Sequence, residues 1–209
     1  MTLIISRREL FRALGMGAAL LGISATRAIG ASDRDHSSST PAISAVPQTN
    51  RSVVANPASI PPPVHGRSHS IHHEITLEAR EVDAEIEPGA KFSYMTFNGQ
   101  VPGPMLRVRQ GDTVTLTLRN DRYSAPWHSV DLHAVYGPGG GADPLTGLPG
   151  ESKTITFKTM YPGTFIYHCG VSGEMDVHIA RGMYGMIVVK PEQGLPSVDR
   201  EFYIGQNET

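Results

Sequence analysis

The chain reads as an all-β protein, an antiparallel Greek-key sandwich. Three observations point there: short runs of alternating apolar residues, Gly/Pro turns between them, and no sustained helical period after residue 65. The length of 209 residues and an apolar content of 39% fit one ordinary domain with tails.

The strand signals follow in order. Ile75 and Leu77 alternate with polar residues, and Glu87-Pro88-Gly89 turns the chain towards Phe92, Tyr94 and Phe97. Pro102-Gly103-Pro104 breaks the pattern before Leu106 and Val108. Gln110-Gly111-Asp112 is a turn, and Val114, Leu116 and Leu118 form the cleanest alternating strand. Ile155 and Phe157 continue the pattern, Tyr161-Pro162-Gly163 turns, and Phe165 to Cys169 makes the next strand. Met186 to Val189 is a near-continuous apolar strand. The folded part is expected over residues 70–191.

The flanks read differently. Arg7-Arg8 followed by an apolar, glycine-broken run from Ala13 to Ala25 reads as a twin-arginine export signal over residues 1–31, which places the mature protein in the periplasm. The run is too short and too glycine-rich for a membrane anchor, which needs about 20 apolar residues. Residues 32–69 are rich in Ser, Pro and Ala, lack apolar periodicity, and read as a disordered tether. His65, His69, His72 and His73 cluster at its end, and a polar strand edge or tail explains them better than a metal site. Residues 192–209 read as a linker and, at Glu201-Phe202-Tyr203-Ile204-Gly205, as the opening strand of a missing second domain; a tail docked on the first domain is the alternative.

Charge excludes one class of partner. Residues 1–31 hold four arginines and one glutamate, so the remainder carries 14 basic and 19 acidic residues, a net charge of −5. With no basic patch, no nucleic acid partner is expected.

The chemistry is concentrated at Tyr167-His168-Cys169, which holds the chain's one cysteine. A lone exported cysteine forms no internal disulfide. It is a buried apolar side chain, a dimerising thiol or a metal ligand. His178 follows nine residues on and Met183 five beyond that, which completes the donor types of a blue-copper electron-transfer centre. Met175 is a weaker competitor for the thioether position, and Met183 could also be an ordinary packing methionine. Upstream lie His128 and His133, in Trp127-His128-Ser129-Val130-Asp131-Leu132-His133.

Strand geometry sorts these ligands, because neighbouring side chains point to opposite faces. His168 and Cys169 face opposite ways, and so do His128 and His133, five apart. Val130 and Leu132 share the parity of His128, so that histidine is expected inside with Cys169, His178 and Met183. Asp131 shares the parity of His133, which is expected outside with His168. Two histidines do not close a metal site, and a metal with open positions is a reactive one.

The pattern resembles the N-terminal cupredoxin domain of copper-containing nitrite reductases. The resemblance rests on Phe97-Asn98-Gly99-Gln100-Val101-Pro102-Gly103-Pro104, on His128 to His133, on Gly139-Gly140-Gly141, on His168-Cys169 and on Gly182-Met183-Tyr184-Gly185. It implies a cupredoxin-like sandwich, the first of two such domains. It implies a type 1 copper on His128, Cys169, His178 and Met183, and a type 2 copper on His133 and His168 with Asp131 as active-site acid. The implied reaction takes nitrite, one electron and two protons to nitric oxide and water, with the electron crossing through Cys169-His168. The implied partners are nitrite, a small redox protein as donor (a cupredoxin or a cytochrome c), and two further subunits of a homotrimer. In that family a neighbour's second domain supplies the third type 2 histidine and a catalytic histidine; this chain offers no residues for either role. Trp127 and the segment 170–177 depart from the family pattern.

Two rivals remain. A laccase-like multicopper oxidase needs His-x-His pairs, and none occurs in the chain. A single-domain copper electron carrier needs only the inward site and leaves His133 and His168 unexplained.

Overall fold

The computed structural model describes residues 53–56 and 59–208. Residues 1–52, with the export-signal reading and the first part of the tether, lie outside them. Eight strands carry the fold: β1 (His72–Glu87), β2 (Ala90–Phe97), β3 (Leu106–Arg109), β4 (Thr113–Asn120), β5 (Asp131–Leu132), β6 (Ser152–Lys158), β7 (Gly163–His168) and β8 (Tyr184–Lys190). They form two four-stranded sheets, ordered β2-β1-β4-β6 and β3-β8-β7-β5.

The sandwich is mixed where the sequence led us to expect antiparallel pairing throughout. β1 runs parallel to β4 and β3 parallel to β8, while β1–β2, β4–β6, β5–β7 and β7–β8 are antiparallel. The reason lies in β1, which is 16 residues long. Its first half pairs with β4 and its second half with β2, changing partner at Ala79. Alternation alone does not reveal strand direction, because both pairings present the same period of two.

The core fills the space between the sheets. Val114, Leu116 and Leu118 of β4 are fully buried at the expected spacing, and Leu77, Phe97, Val108, Leu132, Tyr167 and Ile187 close around them. Each such side chain contributes roughly 1.5–3 kcal/mol by leaving water. The outer face of β4 is polar and paired: Thr115 and Thr117 lie 2.9 Å, hydroxyl to hydroxyl, from Thr156 and Thr154 of β6.

Among the described residues helix enters only in short pieces, where the sequence showed no helical period. A 3-10 turn at Pro138–Gly141 leads into α1 (Ala142–Leu145), and α2 (Met175–Ala180) interrupts the loop after Cys169.

Residues 53–55 and 201–207 both make contacts with the sandwich. Within the segment read as a tether, Val53 is buried against Ala84 and Tyr94, and the 53–55 backbone pairs with Val101. Residues 201–208 pair with no strand among the described residues. Glu201 instead ion-pairs with Arg107 (2.7 Å) and Lys190 (3.1 Å), and Asn207 donates to the Ala180 carbonyl.

A buried carboxylate ties the entry of the chain to the sandwich. Asp112, at the β3–β4 turn, accepts from the Ile71 N–H (3.1 Å) and the Arg109 N–H (3.0 Å), lies 2.8 Å from His73 Nε2, and pairs with the Arg67 guanidinium. Arg109, itself buried, donates to the carbonyls of His69 and Glu192 and so holds the entering and leaving segments together. His72 contacts Glu74 and Thr115. His72 and His73, two of the clustered histidines, are thus engaged with neighbouring side chains.

Burial pushes the Asp112 carboxyl up, but the bonds from His73, Ile71, Arg67 and Arg109 together outweigh it and bring it down to about 2 from 3.8. A folded-state value below the unfolded one stabilises the protein above the unfolded value. That contribution is lost as pH falls from 3.8 towards 2. We expect Asp112→Asn to cost about 2 kcal/mol at neutral pH. The difference from wild type should shrink in denaturation curves taken across that acid window.

Candidate metal centres

β7 delivers His168 as its last residue, and Cys169 follows at once with its backbone N–H on the Met183 carbonyl (3.1 Å). This bond joins the end of β7 to the approach of β8 and fixes the cysteine at the edge of the core. From there the two neighbours diverge. Cys169 is fully buried, while His168 retains 8% of its surface and turns to the other side.

On the inner side, Cys169 Sγ lies 3.2 Å from His178 Nδ1 and 3.9 Å from His128 Nδ1. The two imidazoles meet edge to face at a centroid distance of 5.0 Å. His128 is held by a two-way backbone pairing with Gly147 (3.1 and 2.9 Å). His178 is the one buried residue of α2, so this six-residue helix serves to aim a single ring inward. Met183 is fully buried in the same core cluster as Cys169, and its N–H bonds to the His178 carbonyl (3.0 Å). Met175, by contrast, is 42% exposed.

The remote nitrogens of both rings also have partners. His128 Nε2 lies 2.9 Å from Ser124 Oγ, and His178 Nε2 lies 3.5 Å from a Glu174 carboxylate oxygen. Each ring thus turns Nδ1 to the sulfur. Ser124 and Glu174 carry no signal in the sequence, since their roles depend on where the two rings end up.

Burial dominates the electrostatics. It pushes His128 down to about 3, with the nearby His178 adding to the effect, and lowers His178 against the pull of Glu174. It raises the Cys169 thiol, partly offset by the N–H groups of Ser129 and Val171 directed at the sulfur. Two neutral imidazoles and a thiol converging in a dry pocket, with N–H donors ready for sulfur charge, suit a soft cation that displaces the thiol proton.

On the other side, His133 Nε2 and His168 Nε2 are 3.1 Å apart, with ring centroids 5.1 Å apart. His168 Nδ1 donates to the Cys169 carbonyl (3.0 Å), which leaves Nε2 free as a donor to a metal. Asp131 is the register partner of His168 across β5–β7. Its carboxylate and the two imidazole nitrogens lie within 4.8 Å of one another. Two imidazoles with a carboxylate beside them, on a face where His133 is exposed, can hold a divalent ion with positions open to a small molecule.

The glycine run has a part in this site. Gly140 has φ +50, and a Cβ there would lie 2.2 Å from Asp131 Oδ1 and 2.6 Å from the Leu132 carbonyl oxygen. A Cβ on Gly170 would meet Ala142 at 2.7 Å and Asp131 Cβ at 3.1 Å. Asp131 is thus clasped between two backbones that approach closely because neither position carries a side chain.

The structure therefore brings His128, Cys169 and His178 into one group and Asp131, His133 and His168 into a second. Among the described residues these are the groups of His, Cys, Asp and Glu with metal-holding geometry.

Comparison with known proteins points to a copper-binding family. Residues 78–194 match the family model described as multicopper oxidase. A copper-containing nitrite reductase of Neisseria meningitidis serogroup B is 45% identical over 147 residues, covering 70% of this chain and 37% of that protein. A solved copper nitrite reductase from Nitrosomonas europaea is 43% identical with a TM-score of 0.56, covering 62% of this chain and 46% of that one. A solved multicopper oxidase is 32% identical with a TM-score of 0.61, covering 73% of this chain and 55% of that one. The chain thus spans between 37% and 55% of the length of these relatives. With the sandwich, the buried thiol–imidazole group and a family match over more than half its residues, the chain belongs to the multicopper oxidase family.

Proposed function

We propose that this chain forms the electron-transfer and substrate-facing part of a copper-dependent nitrite reductase. In this reading His128, Cys169, His178 and Met183 hold a type 1 copper, and His133 and His168 hold a type 2 copper. The observation that carries it is the adjacency of the two donor groups: His133 and His168 meet at 3.1 Å on the strand whose next residue is the buried cysteine. An electron carrier has no use for the second group. When bound, the copper ions supply a one-electron redox couple on the inner side and a Lewis acid on the outer side.

The chain's own residues do the rest. One peptide bond separates the sulfur-bearing residue from the imidazole-bearing one, and the His168 Nδ1–H to Cys169 carbonyl bond adds a second, shorter connection between them. Asp131, held by Gly140 and Gly170, keeps a carboxyl group beside the His133–His168 pair. There it hydrogen-bonds a nitrite oxygen, directly or through one water, and passes on the protons that leave as water. His133, at the exposed edge, leaves room for nitrite and for a ligand from another subunit of a homotrimer. A cupredoxin or cytochrome c serves as donor, and export by the twin-arginine route puts the protein in the periplasm. The nitrite reductase names of the sequence relatives favour nitrite as substrate. Dioxygen is the second reading, favoured by the multicopper oxidase neighbour.

EPR of the copper-loaded chain tests the proposal. Two copper signals per chain are expected, with nitrite perturbing the non-blue one and leaving the blue one unchanged. A single blue signal would make the chain a carrier. Oxygen consumption without any response to nitrite would favour the oxidase.

Three substitutions divide the roles. Cys169→Ala abolishes the blue colour and leaves the outer copper in place; loss of both coppers would contradict the two-face arrangement. His133→Ala removes the nitrite response and keeps the colour. Gly140→Ala displaces Asp131, lowering nitrite turnover by about ten- to a hundredfold with the colour intact, as read by nitric oxide release and the visible spectrum.

A further inference from the structure

His128 reaches the inner group with one ring nitrogen, and its other nitrogen has a buried partner of its own. Ser124 Oγ sits 2.9 Å from His128 Nε2, and the two residues are 4% and 0% exposed. The loop that carries Ser124 is built to hold it there. Its N–H closes a turn on the Asp121 carbonyl (3.0 Å). Asn120, the last residue of β4 and also buried, donates from Nδ2 to the carbonyls of Pro126 (3.2 Å) and Gly147 (3.0 Å). Gly147 is the residue whose backbone pairs both ways with His128. One loop thus fixes the backbone of His128 and meets the far side of its ring. The corresponding partner of His178, Glu174, is 3.5 Å away with an exposed side chain, a looser support.

From this geometry we infer that Ser124 is a positioning residue for the inner metal centre, setting the orientation and donor strength of His128. The inference rests on the copper reading of that centre. When Nδ1 binds a cation, the ring's proton must reside on Nε2, and that N–H then lies in a region closed to water. Ser124 Oγ accepts it. An accepted hydrogen bond makes the imidazole a stronger donor through Nδ1, as outer partners of metal-binding histidines do generally. The gain is larger for the more highly charged oxidised ion. Ser124 therefore favours Cu(II) over Cu(I) and holds the reduction potential down.

The test compares wild type, Ser124→Ala and Thr146→Ala in the full chain. Thr146→Ala removes a nearby hydroxyl that bonds only a backbone carbonyl, that of Ala142 (2.9 Å). Affinity for each oxidation state is measured by chelator competition, together with the potential, the visible spectrum and EPR. Ser124→Ala should lose Cu(II) affinity by about ten- to a hundredfold, lose less Cu(I) affinity, raise the potential and alter the blue spectrum. Thr146→Ala should leave spectrum and potential unchanged. Wild-type values in Ser124→Ala would overturn the inference, as would equal losses for both oxidation states, which would mean only packing had been lost. A wild-type chain with no blue centre would refute the copper reading itself, and this would be visible before any variant is made.

Discussion

The arrangement depends on the alternation of an extended backbone at residues 168 and 169. Two side chains on consecutive residues of a strand cannot share a face. His168 therefore projects to the rim and Cys169 into the core, with a single peptide between them. Every other part of the two groups is placed to meet one of these side chains. β5 pairs with β7 so that Asp131 lies opposite His168, and the Cys169–Met183 backbone bond fixes the point where the chain leaves the sheet. The geometry also explains why the two centres are unlike. The inner group is dry and closed, and the outer group has an exposed histidine and a carboxylate.

Burial sets the chemical character of the inner group. The Cys169 thiol packs with Leu132, Val171 and Met183 in the core, and the two imidazoles are buried beside it. The polarity that remains is directed: Ser129 and Val171 N–H groups point at the sulfur, and Ser124 and Glu174 meet the remote ring nitrogens. An ion bound there would meet donors whose remote atoms are already held by neighbours.

Much of this is legible from residue order. The division of His128 from His133 followed from parity on an extended strand. The regular strand there, β5, is two residues long and contains neither histidine. The two histidines nevertheless fall in separate groups, with Val130 and Leu132 both in the core. The helix α2 was not legible, since six residues with one buried side chain leave no period to detect. The parallel pairings of β1 and β3 were hidden for a related reason, because direction leaves no mark on alternation. The contacts of Val53 and Glu201 leave no mark on the sequence, because each is decided by residues far along the chain that come to lie opposite.

By itself the sequence determined which atoms could bind what, and which neighbours must point apart. Both are local properties, set by donor chemistry and by the covalent geometry of successive residues. Only the tertiary structure decided that His128, 41 residues away, comes within 3.9 Å of the Cys169 sulfur. It also decided that Gly140 presses on Asp131 and that Ser124 meets the back of the His128 ring. Those contacts depend on strand register and loop closure across the sandwich, and long-range pairing of that kind is the net result of packing the whole core.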